Sequence, residues 1–171
     1  MTSGTAALSP CGTYRYELTR LWDSALPELL AVMLNPSTAD AAIDDPTIRR
    51  LVSFAKRDGF GGLRVLNLYA LRSVDPAALW AKDSVGPEND ERLATALKAA
   101  SRAPVLAAWG ASRWAKRRAF KVLRLVPAAR WVCLGTTRDG SPRHPLYVKG
   151  NQSMVPFRDG LALDEEATDG E

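Results

Sequence analysis

The chain has 171 residues, 46% hydrophobic and 25% charged, which are ordinary proportions for one globular domain with one sizeable core. Its formal net charge is +4, His144 is its only histidine, and Cys11 and Cys133 lie far apart. This pattern offers neither a zinc spacing nor a disulfide framework, and no apolar run approaches the ~20 residues of a membrane span. The expectation is a cytoplasmic monomer without metal, cofactor or membrane contact. The N-terminus lacks a charged segment followed by an apolar one, so no signal peptide is expected. Residues 159–171 carry six acidic side chains and no Lys or Arg, leaving a more basic body. A basic body with an acidic tail favours a polyanionic partner. Residues 1–12 and 159–171 are expected to be disordered, flanking one domain over 13–158.

Along the chain, Tyr14 to Trp22 alternates polar and apolar residues and predicts an N-terminal edge strand. Leu29 to Leu34 is a continuous apolar run, the mark of a strand buried on both faces. Asp45-Pro46 reads as a helix start, with Asp45 as cap and Pro46 in the first turn. Ile48, Leu51, Val52 and Ala55 give that helix its apolar stripe, and Gly59, Gly61 and Gly62 end it. Leu63 to Tyr69 is a second strand, and Asp75-Pro76 opens a short helix. Pro87 to Arg102 predicts a longer helix, Pro104 to Trp109 a third strand ended by Gly110, Ala111 to Val126 a helix, and Arg130 to Leu134 a fourth strand. Strands alternating with helices imply an α/β fold. The specific expectation is a three-layer α/β/α sandwich with a four-stranded parallel core sheet plus the N-terminal edge strand.

In such sheets ligands bind outside the carboxyl ends of the strands, so the residues just after each strand carry the interest. After the first buried strand come Asn35, Pro36, Ser37 and Thr38. The second contributes Asn67 and Tyr69, followed by Arg72 and Ser73. Trp109 and Gly110 follow the third, and Thr136, Thr137, Arg138 and then His144, Pro145, Leu146 and Tyr147 follow the fourth. The chain has no phosphate loop with Lys, no G-x-G-x-x-G and no G-x-S-x-G elbow, which sets aside three common classes of enzyme. Asn side chains each offer one acceptor and two donors, suited to the edge of a planar ligand such as a nucleobase. Histidine can donate to a developing negative oxygen, and an aromatic ring can stack on a base. On the helix over 111–126, Arg113, Arg117, Lys121 and Arg124 share one face, which suits either solvent or a phosphate backbone.

The order of these motifs resembles the uracil-DNA glycosylase superfamily. "LNPS", Leu34 to Ser37, is similar to the Asn-Pro motif of its mismatch-specific branch. "NLYALRSVDPAAL", Asn67 to Leu79, and "VLAAWGAS", Val105 to Ser112, resemble stretches of its thermostable branch. "RHPLYV", Arg143 to Val148, resembles its His-Pro motif. "LNPSTAD", "DDPTIRR", "NLYALRS" and "PRHPLY" resemble, more closely, an uncharacterised domain family of bacteria and phages. The first motif lacks the flanking glycines, Leu146 replaces a phosphate-binding hydroxyl, and the iron–sulfur cysteines of the thermostable branch are absent.

The superfamily resemblance implies a DNA partner and hydrolysis of the N-glycosidic bond of a flipped uracil-like, mismatched or modified base. Under it, Asn35 orients the attacking water, Asn67 reads the base edge, and His144 stabilises the departing base. Tyr69 or Trp109 stacks on the base. Pro36, Ser37, Thr38, Arg72, Gly110, Pro145, Leu146 and Tyr147 complete the expected substrate site. Arg113, Arg117, Lys121, Arg138 and Arg143 are candidates for the nucleic-acid backbone. Asp40, Asp44 and Asp45 are carboxylates close to the first motif. Asp40 is the preferred one for stabilising a sugar cation, with Asp45 read chiefly as a helix cap. The alternative is a non-catalytic nucleotide or nucleic-acid binding module on the same fold.

Overall fold

The computed structural model describes residues 3–157, apart from 38, 40 and 101. Its elements follow the chain as β1 (Ser3–Leu8), β2 (Arg15–Leu21), β3 (Glu28–Met33), α1 (Pro46–Arg57), β4 (Gly62–Asn67), α2 (Asn89–Ala100), β5 (Pro104–Ala107), α3 (Ala115–Leu123), β6 (Arg130–Cys133) and β7 (Val155–Pro156). Two short 3-10 turns cover Pro76–Trp80 and Pro145–Tyr147. The fold is α/β. Its sheet is mixed and seven-stranded, in the order β1-β2-β4-β3-β5-β6-β7.

This corrects the expectation of four parallel strands with one N-terminal edge strand. The segment expected at the edge, β2, pairs antiparallel with β4 on one side and with β1 on the other. Strand β1 lies in residues expected to be disordered. At the other end, β7 adds antiparallel to β6. Between these additions, β3 pairs parallel with β4 and β5, and β5 pairs parallel with β6. The acidic stretch 159–171 lies outside the described residues.

Alternation along β3 sends its side chains to two cores. Leu29, Ala31 and Met33 pack with Ile48, Leu51, Phe54 and Ala55 of α1. Leu30 and Val32 pack with Leu93 and Leu97 of α2 and with Ala115, Ala119 and Val122 of α3. Both faces of the central strand are therefore covered, which is why its sequence reads as an unbroken apolar run. Full burial of each such aliphatic side chain contributes about 1.5–3 kcal/mol.

Helix α1 forms as its sequence dictates. Asp45 adopts an extended conformation and its Oδ1 accepts the amide hydrogen of Ile48 at 2.8 Å. Pro46 occupies the first turn, where its missing N–H costs nothing. Lys56 and Arg57 stand in the last turn, favourable against the negative helix end. Helix α3 is shorter than expected, beginning at Ala115, because the chain after β5 first turns through Gly110 at φ 76°.

The chain passes from β3 to its neighbour β4, then back across β3 to β5. The direction of winding thus reverses beside β3, and a crevice opens at the carboxyl ends of the strands there. The end of β4 is fixed from behind. Asn89, fully buried at the start of α2, donates through Nδ2 to the carbonyls of Asn67 (3.0 Å) and Leu68 (3.1 Å). Buried Arg118 of α3 donates through Nε to the Leu68 carbonyl at 2.7 Å and pairs with Asp90. Asn89→Ala leaves the Asn67 carbonyl without its donor and is expected to lower stability by about 1–3 kcal/mol. Chemical denaturation checks this, and an unchanged midpoint would mean that the clamp contributes nothing.

Candidate functional site

A cavity of about 300 Å³ opens at the carboxyl edge of the sheet on the α1 side. Its wall takes Asn35 from beyond β3, Asn67 from the end of β4, Trp109 from beyond β5 and His144 from beyond β6. Asp45 and Thr47 reach it from the start of α1, and Ser37, Ser73, Val74, Leu146 and Tyr147 complete its mouth. A second cavity of about 280 Å³ shares Trp109, His144 and Tyr147 with the first and adds Gly110, Ser112, Thr137 and Arg143.

Asn35 donates through Nδ2 to the carbonyls of Ser73 at 2.8 Å and Pro36 at 3.1 Å. Two carbonyl oxygens require the NH₂ end of the amide on that side. The group left for a ligand is therefore its Oδ1, an acceptor. The Pro36 carbonyl also accepts the Ser73 amide hydrogen at 3.0 Å, so the stretch after β3 is bound to the stretch after β4.

Asn67 is 1% exposed, and its Nδ2 has no hydrogen-bond partner among the described residues. A buried donor left unmade costs about 1–3 kcal/mol. Here the orphaned donor belongs to a side chain that contributes to the cavity wall, with the Nδ2 atom itself buried.

His144 caps the 3-10 turn Pro145–Tyr147, its Nδ1 accepting the amide hydrogen of Leu146 at 3.3 Å. An accepting Nδ1 carries a lone pair, so the neutral ring holds its proton on Nε2. Burial pushes its pKa down, and the Asp45 carboxylate opposes that shift only in part. The ring is thus a neutral donor at pH 7. It sits against Gly110, where an added Cβ would lie 3.2 Å from the His144 Cβ on a backbone at φ 76°. Only glycine meets both conditions without strain.

The other expected residues divide. Pro36 and Pro145 are buried and line neither cavity; Pro145 opens the 3-10 turn, and its carbonyl accepts from Arg50 Nε at 3.4 Å. Trp109 is 3% exposed and packs edge-to-face on Trp131 and Phe157, so it walls the cavities without presenting a free ring face. Tyr69 is not in either wall. Its hydroxyl donates to the Trp114 carbonyl at 2.8 Å, which holds the ring against the opposite core. Arg72 donates to the Gly12 carbonyl at 3.1 Å, away from both cavities. Thr38 and Asp40 lie outside the described residues. Asp44 pairs with buried Arg20 at 2.7 Å. The carboxylate in the cavity wall is Asp45, which sequence reading treated chiefly as a helix cap. Arg117 and Lys121 stand exposed on α3, Arg138 is exposed on the loop after β6, and exposed Arg143 donates through Nε to the Thr136 carbonyl at 3.0 Å.

A family model described as "Protein of unknown function (DUF1643)" matches residues 15–146, a stretch that contains every residue of the cavity wall except Tyr147. The chain belongs to the DUF1643 family. Comparison with curated proteins and with solved structures finds no match. The four stretches quoted above for a domain family of bacteria and phages fall within or border this DUF1643 region. Among the described residues, no helix is long and apolar enough to cross a membrane, and no three His, Cys, Asp or Glu side chains gather as a metal site would require.

Because His144 is the only histidine, its ring resonances titrate without overlap. The midpoint is expected below the ordinary value of about 6.5. A ring whose folded pKa is depressed adds stability that is complete above about pH 6.5 and lost as the pH falls through the folded value. His144→Asn is expected to flatten that acid limb. NMR titration together with denaturation at several pH values checks both statements, and a midpoint at or above 6.5 would contradict the burial argument.

Proposed function

We propose that the cavity receives a flipped nucleobase of DNA and that this DUF1643 protein hydrolyses the bond between that base and its sugar. The observation carrying the reading is the buried, unpartnered Nδ2 of Asn67 in the wall of a cavity that also contains a neutral His144. Two donors suit a base with carbonyl oxygens on its edge, as in uracil-like bases, better than one with amino groups there. The motif order resembling the uracil-DNA glycosylase superfamily supports the same substrate class.

In the proposed reaction the glycosidic bond breaks with its electron pair passing to the base, and the sugar becomes oxocarbenium-like. Asn67 Nδ2 and His144 Nε2 donate to base oxygens as negative charge gathers there. Asn35 Oδ1 accepts a hydrogen from the incoming water, whose oxygen forms the new bond to the sugar. The Asp45 carboxylate stands in the same wall to offset positive charge. The products are the free base and an abasic sugar, with the proton of the water passing to the base.

Duplexes carrying uracil, mismatches or modified bases, followed by alkali to cut at abasic sites, test the reading. Losing one donor aimed at developing charge typically slows a reaction by roughly a hundred- to thousand-fold. His144→Ala is expected to fall in that range while affinity for an abasic duplex stays nearly unchanged. A wild-type protein that releases no base from any of these duplexes, yet binds them, would favour the binding-module reading instead. For the backbone contacts, Arg117→Glu with Lys121→Glu is expected to weaken duplex binding and to flatten its salt dependence. Unchanged binding would leave that helix face to solvent.

A further inference from the structure

Trp80 ends the 3-10 turn that follows Val74 of the cavity mouth, and it is 71% exposed. Its ring meets that of Trp114 edge-to-face, with centroids 4.3 Å apart and planes at 76°. The Arg113 guanidinium covers the Trp114 ring at 4.4 Å and approaches Trp80 at 5.9 Å. Trp114 is itself fixed, since its carbonyl accepts from Tyr69 and its amide hydrogen is donated to Ser112 Oγ at 3.3 Å. Ser112 belongs to the wall of the second cavity. The cluster is thus tied by short stretches of chain to both cavities.

An indole held in place by a second indole, yet left in water, forgoes most of what its burial would contribute. Its surroundings say what covers it. Arg113 and Arg117 are exposed nearby in sequence, and neither has an acidic partner among the described residues. An aromatic face beside the Arg113 guanidinium, which pairs with no carboxylate among the described residues, fits a base and its phosphate together. It fits an apolar protein surface less well, because such a surface would strip that charge of water without replacement.

We infer that Trp80, backed by Trp114 and Arg113, is a stacking platform for an unpaired nucleobase of a single strand running past the cavity mouth. The inference rests on the nucleic-acid part of the function proposed above but not on hydrolysis. Such a platform makes the chain prefer unpaired or locally opened nucleic acid over a closed duplex.

Anisotropy of a labelled thymidine oligonucleotide at low and moderate salt tests this on the full chain. Wild type is expected to bind it more tightly than a fully paired duplex of the same length. Trp80→Ala is expected to weaken oligonucleotide binding roughly five- to hundred-fold, and Trp80→Phe, which keeps a ring, to restore most of it. Binding of free uracil, followed by the His144 ring resonances, is expected to be equal in wild type and Trp80→Ala. Equal oligonucleotide affinity in wild type and Trp80→Ala would overturn the platform, and so would a wild type that binds no single strand. Self-association lost on Trp80→Ala would also overturn it, assigning the indole to a contact between copies. Trp80-dependent binding without release of any base would uphold the platform while removing the hydrolase reading.

Discussion

An amide donor with nowhere to donate is the constraint around which this site is arranged. Asn67 is 1% exposed and its Nδ2 is unpartnered. An apolar side chain of similar size at the end of β4 would carry no donor to leave unmade. The backbone at this point has no freedom to carry the amide toward water. Its carbonyl and that of Leu68 are held by Asn89, and the second carbonyl also by Arg118. The structure thus holds the backbone beneath a cavity-wall side chain in place, and groups held in place bind without the cost of reorganisation.

The topology explains why the partners of that donor come from distant parts of the chain. Winding reverses at β3, so α1 covers one face and α2 and α3 the other. The ends of β3, β4, β5 and β6 all point to one edge. Each loop there has a separate local cause. Gly110 bends the chain after β5 and leaves room for His144, and the 3-10 turn after His144 selects its tautomer. The Asn35 amide binds the loop after β3 to that after β4. Asp45 serves two purposes: one oxygen caps α1, and the carboxylate as a whole lies in the cavity wall beside His144.

Much of this was legible in the sequence because it follows from strong local signals. The unbroken apolar run before Asn35 marks a strand covered on both faces, and Asp45-Pro46 marks a helix start. The rule that ligands sit beyond carboxyl strand ends then selects Asn35, Asn67 and His144 together. The sheet edges were not legible for physical reasons. Strand β1 is built from small and polar residues, and β7 is two residues long and ends in proline, so neither has a periodicity to read. Tyr69 lies outside both cavity walls because its hydroxyl donates to a carbonyl 45 residues away, a contact that no local pattern announces. The exposure of Trp80 was not legible either, because an exposed indole and a core indole are the same letter. Arg118 lay in a basic run whose neighbours face water, yet it is buried.

The side chains in the cavity wall differ in polarity in a way that bears on chemistry. Asn67 and His144 bring hydrogens, while Asn35 and Asp45 bring only oxygen acceptors once their other bonds are counted. A module that merely held a base with carbonyl edges would need the donors and nothing more. Acceptors beside them, one of them a carboxylate, are unfavourable to the same oxygens and are tolerated only if something else faces them. A water with hydrogens to donate fits Asn35 Oδ1, and a sugar gaining positive charge fits Asp45. Donors for the atom that becomes negative, with acceptors for the atoms that become positive or lose a proton, are the set that a heterolytic bond cleavage requires. Within the proposed reading, that pairing of opposite polarities is what hydrolysis uses and simple retention of a base does not.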